Sequence, residues 1–560
     1  MSTFHPTRRD VFLVLTCFLV LGLFLQFDFS LRFDSSWGGS GSRYNEASGW
    51  RGGSSGASAH KDAAAKAKWI ADSNTGIKSK GVSDARVKWD DGPEPVRTEV
   101  LSHAPGWTIF DSIYLFNGTW YIVTDNPSSI PLLRMMVSTG NEIWNGEEEI
   151  KSREPTEKDM RIIFPSEARK LWGTTVSTVD GPTMLINDPP QFLDHYYHFC
   201  AELLVGLWRT YASLDPTITS AGITHLPPPA RMMFPHTAAG KWNDYAKMNS
   251  FITRAIFPSM SFEFQQDFLD RADTARAFVF ERVVFADRAA AFRGPEFQRT
   301  WRTAAEAMTL PGSVGWWSPL RKNLIEFVLA GSNEDALEPE LSQIDAIYGD
   351  NAKADPSTEI DIEALEEQEE AMEEALEEKQ AQQAKQKQVV AGKPVITYVS
   401  RQEWGRRMLR TEDHQALVKE LETLREKYGW EVNIVSMDKL SREEQIRLSA
   451  RTTIMIGLHG NGLSHLLWMN AANPRATVIE FFFPGGFAED YEFTARALGI
   501  KHYGVWNAET FTEPDLPQVA YPEGFQGNDI PLNGKTVADL IVKRLLVEKH
   551  ESKDVEGGKP

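Results

Sequence analysis

The sequence predicts an α/β protein with a parallel sheet in its carboxyl-terminal part. From residue 394 onward, apolar runs of strand length alternate with amphipathic runs of helical length. One of those strands, in "TTIMIGLHGNGLSHLLW" (452–468), meets three glycines, Gly457, Gly460 and Gly462, before Leu463, Leu466 and Leu467 at helical spacing. The 560 residues, 42% apolar, exceed what one core holds, so two domains plus accessory segments are expected.

The chain begins with an apolar run from Val11 to Leu25, interrupted only by Thr16 and Gly22 and extended weakly by Phe27 and Phe29. Arg8 and Arg9 precede it, and no small-residue cleavage site follows. This predicts a transmembrane signal anchor at 11–29, with residues 1–10 cytoplasmic and the body in the lumen. Residues 34–60 are rich in Gly, Ser and Ala without periodicity, and 30–95 is read as a flexible stem. Anchor, stem and large body form the layout of a Golgi or endoplasmic-reticulum enzyme of single-pass type II topology, a layout receptors share. Cys17 lies in the apolar run, so Cys200 has no luminal partner and the body must rely on its core. Asn117-Gly118-Thr119 is a glycosylation sequon. Asn-Gly between two alternating runs predicts a hairpin turn, with Asn117 exposed to carry glycan.

Residues 100–330 mix strand and helix patterns without clear alternation. "ARAFVFERVVFAD" (275–287) reads as a strand, "HYYHFCAELLVGLWRTYASL" (195–214) as a helix and "LPPPA" (226–230) as a loop. The net charge of −19 is concentrated: residues 355–380 carry twelve Asp or Glu against one Lys. The global charge therefore says little about a partner, and no nucleic acid is expected. The segment 331–392, rich in Glu and Gln towards its end, is read as a solvated helical or disordered insertion. Its sparse apolar residues form a partial seam, so coiled-coil self-association through 359–388 is the alternative.

The carboxyl-terminal elements follow in order. "PVITYVS", "WEVNIVS", "TTIMIGL", "ATVIEFF" and "KHYGVW" are strands, with helices in "DHQALVKELETLREKYG", "SREEQIRLSAR", from Gly462 and in "AEDYEFTARALG". Such alternation gives a parallel sheet covered on both faces, whose ligands bind beyond the carboxyl ends of its strands. Arg401 follows the first strand, with Arg406 and Arg407 behind it. His459-Gly460-Asn461-Gly462 follows the third, and Glu480 lies near the end of the fourth. Glycines admit close backbone approach, a helix start favours an anion and arginine grips phosphate oxygens. A buried carboxylate suits ribose hydroxyls. Each residue alone has a structural explanation; their convergence predicts a nucleoside diphosphate site. The glycine order does not match the dinucleotide fingerprint G-x-G-x-x-G.

A second cluster is "DHYYHFCAELL". In a helix, His195, His198 and Glu202 fall on one face. The pattern is not the zinc-protease H-E-x-x-H. Polar groups this dense among aromatic residues need partners, which favours acid–base chemistry or acceptor positioning.

Three blocks, "LDHYYHFCAELLVGLW", "ITYVSRQEWGRRML" and "IGLHGNGLSHLLWM…VIEFFFPGG", resemble the hallmark blocks of glycosyltransferase family 61. The resemblance covers roughly residues 100–330 and 393–510, with Asn461 standing where the family usually has alanine. It implies a GT-B-like fold of two Rossmann-like lobes, an acceptor-side lobe (96–330) and a nucleotide-sugar-binding lobe (393–548), with a tail at 549–560. It also implies inverting transfer from a UDP-sugar, with N-acetylglucosamine or xylose the expected sugar, to a hydroxyl of a glycan or glycoprotein. No Asp-x-Asp occurs, so no metal or other cofactor is expected, and Arg401, Arg406 and Arg407 with the turn His459 to Leu463 would stabilise the leaving UDP. The base would come from the 194–202 cluster: His198 or Glu202, with Asp194 as orienter or alternate and His195 beside them. The competing reading is a catalytically inactive Golgi protein that binds glycan or nucleotide and acts through its acidic helix.

Overall fold

The computed structural model describes residues 95–330 and 393–546. The expected cytoplasmic tail, anchor, insertion and carboxyl-terminal tail lie outside those residues, as does the stem as far as residue 94. Among the described residues, no helix is long and apolar enough to cross a membrane.

The first half builds an eight-stranded mixed sheet. Strands β1 (Glu99–Ala104), β2 (Trp107–Phe116) and β3 (Thr119–Val123) form an antiparallel meander. Asn117 and Gly118, with φ of 49° and 79°, make the β2–β3 turn, and Phe116 faces Thr119 across it. Both turn residues need positive φ, which asparagine tolerates and glycine adopts freely. Asn117 is exposed there, as the hairpin reading required. β4 (Met160–Ile163) joins β3 in parallel. A parallel block follows from β5 (Val176–Ile186), β6 (Arg231–Met233), β7 (Ser261–Glu263) and β8 (Ala277–Ala286). The order is β4-β3-β2-β8-β5-β6-β7, with β1 also on β2. β8 runs antiparallel to β2 and parallel to β5. β6 and β7 have three residues each, too few to show a period, which is why alternation was illegible in this half.

The expected helix over 195–214 opens as a π-helix, His198–Leu204, before becoming α1 (Val205–Ala212). Every residue of α1 is buried, in keeping with its largely apolar sequence. Gly206 lets it approach β2: a Cβ at Gly206 would lie 2.2 Å from the Trp107 ring. α2 (Ser318–Ala330) closes this half.

The second half matches the expected alternation. β9 (Val395–Val399), α3 (Thr411–Tyr428), β10 (Glu431–Val435), α4 (Arg442–Arg451), β11 (Ile454–Leu458), β12 (Thr477–Phe481), α5 (Asp490–Leu498) and β13 (Lys501–Trp506) follow in turn. α4 starts in a capping box, with the Ser441 and Glu444 side chains each accepting from the other's backbone N–H. Gly429, at φ 68°, ends α3. The helix expected from Gly462 is a 3₁₀-helix, Asn461–Trp468, one residue earlier and more tightly wound. β14 (Glu509–Phe511) adds an antiparallel edge, and α6 (Gly534–Leu546) packs on α3. The sheet order is β10-β9-β11-β12-β13-β14.

One apolar core joins the two halves. It contains Trp107, Met184 and Leu204 from the first and Leu463, Trp468 and Val478 from the second. α2 packs on α4, and Arg321 donates to the Trp468 and Ala450 carbonyls at 2.9 Å each. Trp468 is fully buried and donates to the Tyr196 hydroxyl at 2.8 Å. Removing its ring would cost about 3–5 kcal/mol.

Candidate active site

The order β10-β9-β11-β12-β13 reverses direction between β9 and β11. In an open parallel sheet a ligand crevice forms at that point, beyond the strands' carboxyl ends. Arg401 follows β9 there, and His459 and Gly460 follow β11. The glycines explain the local packing. A Cβ at Gly462 would lie 2.7 Å from Val399 Cγ1, and one at Gly457 2.9 Å from the Val399 carbonyl oxygen, so this turn is pressed onto the end of β9. A Cβ at Gly460 would lie 2.5 Å from Arg401 Nη1, so this glycine leaves room for the guanidinium.

Arg401 lies 5.5 Å over the Trp404 ring, and its buried Nε has no partner. Burial first, then Arg407 and Arg406, push its pKa down to about 10, so it stays charged at neutral pH. A half-buried cation with an unmet N–H is suited to an anion. Arg407 donates to Gln526 Oε1 at 2.7 Å and to the His459 carbonyl at 3.3 Å. Arg406 and Asn461 are exposed, and Asn461 Oδ1 accepts from Ser464 at 3.2 Å. Leu463 and Gly462 are different from their expected role: Leu463 is buried in the shared core and Gly462 packs on Val399, so both shape the turn from within.

Glu480 also needs correction as a ribose ligand. It is fully buried, with Oε1 2.6 Å from His459 Nδ1 and Oε2 2.9 Å from His502 Nε2. Both oxygens are occupied, which places it behind His459. Burial raises its pKa well above the carboxylate range. Burial likewise pushes both imidazoles down, to about 3. The His459 ring is packed by Phe482, Tyr491 and Phe525 at centroid distances of 5.8, 5.5 and 5.5 Å.

The first half contributes from its own strand ends. Asp188 and Arg288, beyond the parallel neighbours β5 and β8, pair at 2.5 Å and are both almost fully buried. Arg288 Nη1 donates to the His198 carbonyl at 3.0 Å and lies 3.4 Å from Glu202 Oε2. Glu202 Oε2 also meets His198 Nδ1 at 2.9 Å, and Oε1 meets Arg302 Nη1 at 3.4 Å. Burial opposes ionisation of Glu202, but His198, Arg288 and Arg302 outweigh it and hold the pKa near 2. The His195 and His198 rings are 4.9 Å apart, so the expected grouping of His195, His198 and Glu202 is present. Asp194 and His195 are exposed in the turn before the π-helix. Among the described residues, no group of three or more His, Cys, Asp or Glu is arranged to hold a metal ion.

Arg302 joins the two halves. Its Nη1 contacts both Glu202 and, at 2.9 Å, Asp490 Oδ1 at the start of α5. Tyr197 donates to the Asp490 carbonyl at 3.1 Å. Asp490, Arg407, Arg302 and Arg401 all act electrostatically on His459, and Asp490 and Arg407 act on His195. The two clusters read from sequence therefore meet. Asp188, Arg288, Arg302, Asp490 and His502 were missed. Strand ends could have revealed Asp188 and Arg288; Arg302 sits in a region without pattern, and Asp490 looked like an ordinary helix start.

The sequence model described as Glycosyltransferase 61 matches residues 196–479, half of the chain. The chain is also similar to the EGF domain-specific O-linked N-acetylglucosamine transferase of Drosophila melanogaster, 31% identical over 129 residues. That similarity covers 23% of this chain and 22% of the relative's length.

Proposed function

Since the chain belongs to glycosyltransferase family 61, we propose that this glycosyltransferase moves a sugar from a UDP-sugar to a hydroxyl of a glycoprotein, with inversion, between two lobes arranged as in GT-B enzymes. The relative's name, an O-linked N-acetylglucosamine transferase specific for EGF domains, supports N-acetylglucosamine as the sugar and a protein hydroxyl as the acceptor. The observation that carries the donor site is the buried, unpartnered Arg401 Nε beside Gly460 at the sheet's switch point. Arg401, Arg407, the exposed Arg406 and the turn at His459, Gly460 and Asn461 bind the diphosphate and offset the charge of the departing UDP, with no metal required.

His198 is the base of this reading. Glu202 occupies its Nδ1 and, its pKa held low by His198 first and then by Arg288 and Arg302, is the weaker base of the two. The His198 Nε2 takes the acceptor's hydroxyl proton. The acceptor oxygen then bonds to the anomeric carbon while the bond from that carbon to the diphosphate breaks, and UDP leaves with the electron pair. Asp194 and His195, exposed beside it, line the acceptor's path. The enzyme works in the lumen of the secretory pathway, tethered by residues 11–29, with glycan on Asn117. A screen of UDP release across UDP-N-acetylglucosamine, UDP-xylose and other UDP-sugars tests the donor. Turnover with none of them, by a chain of the correct mass that binds UDP, would refute the proposed chemistry.

A further inference from the structure

His459, Glu480 and His502 form a buried chain whose inner members touch neither proposed substrate. Resting on the donor-site reading, we infer that Glu480, in its protonated form, and His502 are positioning residues that keep the proton of His459 on Nε2. His459 then meets the leaving diphosphate as a neutral hydrogen-bond donor.

The proton count follows from the partners. His502 Nδ1 is buried and has no partner. A proton there would be a stranded donor, so the ring's proton belongs on Nε2, where it is donated to Glu480 Oε2 at 2.9 Å. That oxygen is then an acceptor. Oε1 remains, 2.6 Å from His459 Nδ1. Glu480 is fully buried and makes no ion pair with Arg or Lys among the described residues. Burying a bare carboxylate there is costly. Asp490 and Glu492 add to that cost, while Arg407 and Arg302 oppose it. A carboxyl proton on Oε1 removes the charge and is donated to Nδ1, which leaves the His459 proton on Nε2.

The opposite arrangement is a Glu480 carboxylate accepting from Nδ1–H. It would turn a bare lone pair towards the phosphate oxygens and make His459 a general base of the His–carboxylate kind. The Phe482, Tyr491 and Phe525 rings hold the imidazole plane in either case.

Nitrogen-15 NMR of the full-length chain labelled at histidine distinguishes the two, with the His459 signals assigned by their loss in His459→Gln. The expected result at neutral pH, without nucleotide, is a neutral His459 protonated on Nε2. Glu480→Gln should give the same tautomer, because its amide can donate to Nδ1 and its carbonyl accept from His502. It should also keep wild-type Tm and turnover. An Nδ1–H tautomer or an imidazolium in the wild type overturns the inference. So does a loss of turnover of about 10⁴-fold in a folded Glu480→Gln protein, as when a triad's carboxylate becomes an amide. The tautomer is read on the free enzyme, so failure of the wild type to bind UDP would instead count against the donor-site reading.

Discussion

At the scale of single residues, the site consists of charges held by specific partners. Arg401 has space because residue 460 has no side chain. Gly460→Ala should push the guanidinium aside, since the clash falls on the end of a long side chain, and should also strain the turn, whose φ of 159° at this position a side chain rarely adopts. UDP affinity is expected to fall by roughly tenfold, the equivalent of about 1.4 kcal/mol. Calorimetry with UDP checks this, and unchanged affinity would detach Arg401 from the diphosphate. His465 supplies a pH dependence. Its Nδ1 lies 3.2 Å from the Gly462 carbonyl, its Nε2 is buried without a partner, and burial pushes its pKa down to about 4. The unfolded chain binds a proton near pH 6.5, so its contribution is intact above that pH and is lost as pH falls towards 4. From about pH 7 to pH 5 this is on the order of 2 kcal/mol. The wild type should therefore lose more Tm over that interval than His465→Gln; equal losses would contradict the assignment.

At the scale of elements, what could be read from sequence depended on length and regularity. The five parallel strands of the second half have five or six residues each, separated by helices with recognisable ends, and all were legible. Querying their carboxyl ends located Arg401 and His459. Glu480 was located too, but its burial between two imidazoles depends on β13 supplying His502, and pairing partners are not written in periodicity. The first half hid its parallel block because β6 and β7 are too short, and the π-helix because its residues also fit an α pattern. That segment brings His198 and Glu202 together, and its position depends on α1 packing on β2. Gly206→Ala would set a methyl into the Trp107 ring, a cost of about 1–3 kcal/mol by overpacking. Its thermal unfolding should occur several degrees lower, and turnover should fall as the π-helix moves with α1. An unchanged Tm would mean the ring has room to yield.

At the scale of the molecule, two sheets share one apolar core and turn strand ends towards a common junction, bridged by Arg302 between Glu202 and Asp490. The division of labour proposed for them is donor binding by the second half and proton transfer by the first. Calorimetric titration of UDP into the wild type, Arg401→Lys and His198→Gln, all in EDTA, tests it most directly. The wild type should bind without metal. Arg401→Lys should bind about ten- to a hundredfold more weakly, because a point charge replaces a fork of donors worth about 1.5–3 kcal/mol. His198→Gln should bind UDP like the wild type while losing turnover. If folded His198→Gln protein fails to bind UDP while Arg401→Lys binds normally, or if UDP binds only when Mn²⁺ is restored, the account is contradicted.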